Sequence, residues 1–254
     1  MARALRVRGE RWPLRRAFTI SRGTKTVAEV VVAEIEEDGV VGRGECVPYP
    51  RYGETVAEVV RRIESQAAAI AAGLSRERLQ SALSAGAARN ALDCALWDLE
   101  AKRSVRRAWE IAGIDPPGPA MTAETIGLDT PRAMAEAAAQ LKGQPLLKIK
   151  LGAEAVVERV AAVRDAAPQA RLIVDANEAW DLVLLERVCA ALAGLGVEMI
   201  EQPLAAGDDA GLRGFSSPVP LCADESCHIA ADAADLADRY RMVNVKLDKT
   251  GGLT

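Results

Sequence analysis

The feature that most constrains this chain is an alternation beginning near residue 122. Short apolar, strand-like runs occupy 122–128, 146–151, 171–175, 197–201, 220–224 and 242–247. Stretches of helical periodicity lie between them, among them Pro131–Lys142, Ala155–Ala166, Leu182–Leu195 and Ala230–Tyr240. Parallel strands must be joined by a crossover, and a helix is its usual form, so the pattern predicts βα units on a parallel sheet. A barrel and a doubly wound sheet both satisfy it, but they place polar residues differently. A doubly wound sheet carries a glycine-rich phosphate loop after its first strand, and no G-x-G-x-x-G or Walker loop is present. A (β/α)8 barrel carries its chemistry at the C-terminal ends of many strands, and here strand after strand ends in charge. The barrel is therefore favoured.

The first part of the chain reads differently. Residues 27–36 form a β-branched run, Asp38-Gly39 marks a turn, and Val40–Glu45 resumes the strand, which together signal a hairpin. Residues 55–72, 75–84 and 87–102 have helical periodicity. The proline-rich run Pro116-Pro117-Gly118-Pro119 is the strongest punctuation. The expected fold class is thus α/β: an α+β capping domain over residues 1–115, then a (β/α)8-type TIM barrel over 116–254.

Composition excludes several functions. A net charge of -4 argues against a nucleic-acid binder, which needs a basic face. The N-terminal residues contain no apolar run of signal-peptide or membrane-span length, so the cytoplasm is expected. Five cysteines without a C-x-x-C pair read as reduced thiols. His228 is the only histidine, which disfavours a Ser-His-Asp triad or a histidine-rich zinc site and turns attention to Lys, Asp and Glu.

Those residues recur at the strand ends. Leu147-Lys148-Ile149-Lys150 ends one strand, Ile173-Val174-Asp175 the next, Met199-Ile200-Glu201 a third and Cys222-Ala223-Asp224 a fourth, while Val243-Asn244-Val245-Lys246 supplies a further lysine. Side chains alternate along a strand, so Lys148 and Lys150 share a face, where like-charge repulsion would lower an ammonium pKa toward the range a base needs. Asp175, Glu201 and Asp224 on successive strands would repel one another without a cation between them, and all-oxygen ligands suit Mg²⁺, or Mn²⁺ in its place. A cation there would hold a substrate carboxylate and offset the charge left when the neighbouring C–H is deprotonated. Each residue alone reads as a solvated charge; the ordered set does not.

K-I-K, D-A-N, E-Q-P, A-D-E-S and N-V-K-L-D-K-T-G-G together resemble the enolase superfamily in its muconate-lactonising subgroup, for which a Lys or His base and Mg²⁺-stabilised enediolate are general knowledge. G-E-C-V-P-Y-P-R-Y-G-E, G-A-A-R-N-A-L-D-C-A-L-W-D-L and A-D-E-S-C-H are more specific, and resemble the proteobacterial L-Ala-D/L-Glu epimerases. That resemblance implies epimerisation of a murein-derived dipeptide by 1,1-proton transfer. It implies Asp175, Glu201 and Asp224 as metal ligands, Lys150 and Lys246 as the acid–base pair, and Lys148 as the lysine that polarises the carboxylate. It also implies Arg22, in Phe18-Thr19-Ile20-Ser21-Arg22, as the cap-loop arginine that pairs with the glutamate side chain. Relatives are often oligomeric, so a homo-oligomer is an expectation from resemblance alone. N-acylamino acid racemisation, o-succinylbenzoate synthesis and muconate cycloisomerisation use the same lysines and acids and remain alternatives, as does an inactive fragment.

The strand-like segments reach six by Thr254, whereas a closed barrel needs two further units, roughly 60–80 residues. The barrel is therefore expected to be incomplete at its C-terminus, its remainder lying in unread sequence, lost from a shortened gene product or supplied by another chain. The Asp-x-Asp motif that grips the substrate ammonium in the epimerases falls in that remainder. Asp93, Trp97 and Asp98 lie on the helix linking cap and barrel, where packing is the simpler role. Tyr49 and Arg51 fit a cap loop. Asp248 and Lys249 are candidates for supporting groups, and His228 has no assigned role.

Overall fold

A computed structural model describes residues 2–254. The chain runs through β1 (Ala4–Ile20), β2 (Gly23–Glu37) and β3 (Val40–Cys46), then α1 (Val56–Glu64), α2 (Ala67–Ala71), α3 (Arg76–Ala82), α4 (Ala87–Ser104) and α5 (Ala108–Ala112). Next come β4 (Glu124–Ile126), α6 (Pro131–Gln140), β5 (Leu146–Lys150), α7 (Val156–Ala166), β6 (Arg171–Asp175), α8 (Leu182–Gly194) and β7 (Val197–Glu201). The last elements are β8 (Leu221–Ala223), α9 (Ala230–Leu236), β9 (Met242–Val243) and α10 (Leu247–Thr250). They form two compact units, each discontinuous in sequence. The first contains Val27–Pro119, the residues ahead of Leu14, and Val245–Thr254; the second contains Leu14–Thr26 and Ala120–Asn244. The 1–115 and 116–254 division read from the sequence does not include these two exchanged segments.

In the first unit, β2 and β3 form the expected hairpin. Asp38 and Gly39 both have left-handed φ, 53° and 80°, the geometry of a two-residue turn whose twist matches the strands it joins. The register pairs Glu34 with Arg43, and their side chains form an ion pair at 2.8 Å. Helix α4 packs on β3 at backbone distance. A Cβ on Gly42 would lie 2.2 Å from the Ala95 carbonyl oxygen, and one on Gly44 would lie 2.0 Å from that of Ala91. Two glycines on the strand and two alanines on the helix thus set the approach. Val31, Ala33, Ile35, Leu92 and Leu99 fill the core around it. The helical run 55–72 breaks at Ser65-Gln66 into α1 and α2.

In the second unit the parallel sheet has six strands in the order β4-β5-β6-β7-β8-β9, and no pairing between β4 and β9 closes it. Leu147, Ile149, Leu172, Val174 and Ile200 join residues of α6, α7 and α8 in one apolar core. Helix starts are marked in the sequence: the Thr130 hydroxyl accepts from the Ala133 N–H ahead of Pro131, and Asp181 accepts from the Leu184 N–H at 2.7 Å. Between β7 and β8 the only helical turn is a 3-10 turn at Ala210–Leu212. None of the described helices is long and apolar enough to cross a membrane.

The sixth strand is shorter than expected. It covers Met242–Val243, so Lys246 does not end a strand; it is exposed and stands at the N-cap of α10. Strand β9 has one hydrogen-bonded neighbour, β8, and the sequence after it closes a helical turn at Gly251, whose φ is 79°. With pairing on one side only, the local turn preference of Asp-Lys-Thr-Gly-Gly ends the strand.

Candidate active site

The register of the parallel sheet builds the site. Lys150 pairs with Asp175, Asp175 with Glu201, and Glu201 with Cys222. Residues level across parallel strands point to one face, so Lys150, Asp175 and Glu201 form a row, and Asp224 lies two residues past Cys222 on the same alternation. Leu147 and Ile149 occupy the opposite, fully buried face of β5. The row is buried: Lys150 is 8 % exposed, Glu201 2 %, and Asp175 and Asp224 0 %.

Asp175 Oδ2 receives both ammonium groups, Lys148 Nζ at 2.8 Å and Lys150 Nζ at 2.7 Å. Lys148 also reaches Glu201 Oε2 at 2.6 Å, and Lys150 donates to Asn177 Oδ1 at 3.0 Å. The Phe18 ring centroid lies 5.9 Å from Lys150 Nζ, at the outer limit for a cation–π contact. Asp175 Oδ1 accepts from the Asn177 N–H, and Glu201 Oε1 accepts from Asn244 Nδ2 at 2.8 Å.

Electrostatics correct one expectation. Burial opposes the charge on Lys148, but Asp175 and Glu201 outweigh it and hold the ammonium pKa above its ordinary value. Asp175 is the carboxylate that the two lysines share, and on Lys148 the neighbouring carboxylates outweigh burial. Burial also penalises the Asp175 charge, yet the two lysines bring its carboxyl below the usual range. Glu201 goes the other way: burial and then the Asp175 charge raise it, against the pull of Lys148.

Arg22 meets acids that the sequence reading left without roles. It lies in the turn joining β1 to β2, and its Nη1 donates to the Asn177 carbonyl at 2.8 Å and to Glu178 Oε2 at 3.0 Å. Its Nη2 donates to Glu225 Oε1 at 2.7 Å, and Ser21 Oγ donates to the same Asn177 carbonyl. Glu225 Oε2 is buried and accepts no hydrogen bond among the described residues, and burial followed by the Asp224 charge pushes this carboxyl up. Gln202, fully buried, ties the strand ends: its Oε1 accepts from the Asp224 and Ser226 N–H groups, and its Nε2 donates to the Leu204 carbonyl. Asn177, Glu178 and Gln202 have φ of 46°, 68° and 33°, strained values for residues with a Cβ, and they cluster at the same strand ends. D-A-N, E-Q-P and D-E-S contained Asn177, Gln202 and Glu225, but alternation assigns a side chain only while the strand continues.

The donor set suits a hard divalent cation. The carboxylates of Asp175, Glu201, Asp224, Glu178 and Glu225 exceed the cations Lys148, Lys150 and Arg22, leaving net negative charge in a buried setting. Among the described residues, no group of three His, Cys, Asp or Glu side chains is arranged as a finished metal cage. Oxygens of Asp175 and Glu201 are instead engaged by Lys148. The structure thus brings Lys148, Lys150, Asp175, Glu201, Asp224 and Arg22 into the second unit, whereas Lys246 belongs to the first.

Residues 2–113 match the mandelate racemase/muconate lactonizing enzyme N-terminal domain, and residues 132–254 match the enolase C-terminal domain-like family. The L-Ala-D/L-Glu epimerase of Escherichia coli K12 is 52 % identical over 99 % of this chain and 79 % of its own length. An enolase family member from Agrobacterium tumefaciens with homology to dipeptide epimerases, solved with sodium and L-Ala-L-Glu, is 51 % identical. It superposes with a TM-score of 0.95 over 98 % of this chain and 77 % of that one. A dipeptide epimerase from Enterococcus faecalis, solved with Mg and L-Leu-L-Tyr, has 33 % identity and a TM-score of 0.91 over 99 % of this chain and 76 % of that one.

Proposed function

The chain belongs to the mandelate racemase/muconate lactonizing enzyme family of the enolase superfamily, and from that membership we propose that it epimerises L-Ala-D/L-Glu-type dipeptides at the carbon beside the C-terminal carboxylate. The observation that carries this reading is the in-register row Lys150–Asp175–Glu201 with Lys148 against it: a buried amine beside a buried carboxylate cluster at adjacent strand ends.

Asp175, Glu201 and Asp224 would hold Mg²⁺, which when bound supplies a positive charge for the substrate carboxylate and for the extra charge of the enediolate. Lys150 takes the α-proton. Lys246 is the candidate for the acid that returns a proton, and the two roles would exchange in the reverse direction. The assignment of Lys246 rests on its match to the family motif N-V-K-L-D-K-T-G-G. Lys148, which pairs with Asp175 and Glu201, would stand as a positive charge near the developing enediolate. Arg22 recognises the glutamate side chain. With Glu178 and Glu225 already on its guanidinium, that carboxylate has to share or displace one of them. This reading requires a cytoplasmic pool of murein-derived dipeptide.

The test is Mg²⁺-dependent exchange of the α-proton in deuterated water across L-Ala-L-Xaa dipeptides, read by proton NMR. Exchange strongest with Xaa = Glu supports the reading. Exchange confined to N-succinyl amino acids would replace it with racemisation of acylated amino acids.

A further inference from the structure

We propose that Arg89, Asn90 and Asp93 on α4 are positioning residues for Lys246, an inference that rests on the acid–base role proposed for that lysine. These side chains and Trp97 recur at i, i+1, i+4 and i+8, so they lie on neighbouring lines of one helix face. All of them engage the ten-residue segment Val245–Thr254, within one compact unit.

The tethers follow the segment in order. Asn90 Nδ2 donates to Asp248 Oδ1 at 2.7 Å, while Asp248 Oδ2 accepts the Val47 N–H at 3.2 Å. Arg89 donates to the Thr250 carbonyl at 2.6 Å and to the Gly251 carbonyl at 3.1 Å. Its other Nη spans the Gln80 and Leu83 carbonyls, which anchors the guanidinium to the end of α3. Asp93, 0 % exposed, accepts the Leu253 N–H at 2.7 Å and the Thr254 N–H at 3.0 Å on Oδ2, and the Gln80 amide on Oδ1. Trp97 Nε1 donates to Thr254 Oγ1 at 2.9 Å.

Contact with α4 dictates Gly251 and Gly252. Both have positive φ, and a Cβ on either would fall 2.4 Å from Arg89 Nε or from the Asp93 side chain. The Lys246 carbonyl accepts the Lys249 and Thr250 N–H groups, so the clamped turn fixes the backbone that carries this lysine.

Apolar burial does not explain the docking. Val245 is 70 % exposed, Leu253 55 % and Leu247 40 %. The segment is held by directional bonds to buried Asn90, Asp93 and Trp97 and to half-buried Arg89, which define position more sharply than apolar contact does. A base must lie within hydrogen-bond reach of its proton, and a displacement of about 1 Å can cost about 10²-fold in rate. Such fastening is what one member of a two-base pair requires.

A two-base site gives a one-sided test. In deuterated water with Mg²⁺, each epimer of L-Ala-Glu exchanges its α-proton through the base that faces it, and Lys150→Met and Lys246→Met assign the epimers. Asp93→Ala is expected to slow exchange of the Lys246-facing epimer at least about 10-fold and leave the other within about 2-fold. Asn90→Ala, which cuts the Asp248 tether along with the Asn90 bonds to the Glu45 carbonyl and Cys94 Sγ, is expected to give a smaller fall on the same side. It carries the test together with Arg89→Met should Asp93→Ala fail to fold by circular dichroism. Equal slowing of both epimers in the folded variants, or slowing of neither, overturns the proposal while the dipeptide reading stands. A wild-type protein that exchanges neither epimer overturns both.

Discussion

The contact of α4 with β3 and the strand-end cluster of β5–β8 are both buried, but they resolve burial in opposite ways. At Gly42 and Gly44 the chain removes side chains until two backbones touch, and small alanines complete the fit. At Lys150, Asp175, Glu201 and Asp224 it buries charge, with strained backbone at Asn177, Glu178 and Gln202 beside it. The first arrangement is what close packing favours. The second is locally unfavourable, and conflicts of that kind concentrate at functional sites. One region should therefore fail by unfolding and the other by losing chemistry.

The largest effect should come from Lys150→Met, with epimerisation falling about 10²–10⁴-fold and the urea midpoint falling far less, because Lys148 still pairs with Asp175. A midpoint that collapsed with activity would erase the contrast. Gly44→Ala should do the reverse. The Cβ would sit 2.0 Å from a backbone oxygen that cannot rotate away, so a loss of about 3 kcal/mol is expected in denaturant titrations. Tolerance of that alanine would show that α4 can retreat from β3.

Val105→Gly sharpens the packing side. Val105 caps α4 with φ 54° while 92 % exposed, a left-handed conformation that a β-branched residue resists. Glycine there should raise stability by about 1 kcal/mol, read as a higher midpoint.

The smallest effect concerns pH. Glu201 and Glu225 both have raised folded-state pKa values, through burial and neighbouring acids. The folded state then holds more protons than the unfolded one above the ordinary carboxylate range, so the metal-free protein should lose stability as pH rises through that window. Glu225→Gln should flatten the slope, measured as the change in urea midpoint between pH 5 and pH 7. An unchanged slope would remove Glu225 from the charge account of the site.

Much of this was legible in advance. The Asp38-Gly39 turn, the βα alternation and the strand ends carrying Lys150, Asp175 and Glu201 follow from local patterns of period two and 3.6. Asn177, Glu178 and Glu225 were not assigned, because their side chains act beyond the strand ends, where the path of the backbone decides direction. Lys246 departs from expectation for a related reason: 242–247 reads as a strand, but pairing on one side supports only Met242–Val243. Asp93 reads in the sequence as a packing residue on a helix, whereas in the structure it accepts the Leu253 and Thr254 N–H groups, which lie far along the chain.

By itself, then, the sequence determined which residues carry charge and, for Lys148, Lys150, Asp175 and Glu201, the strand and the face each occupies, since these depend on near neighbours and on the fixed geometry of the pleat. Tertiary structure decided the register that sets Lys150 level with Asp175 and Glu201, the carboxylates that raise Lys148, the acids that engage Arg22, and the fastening of the Lys246 segment to α4. Those depend on groups brought together from distant parts of the chain. The strength of a charge–charge or hydrogen-bond interaction follows separation and burial in space, which spacing along the sequence does not encode.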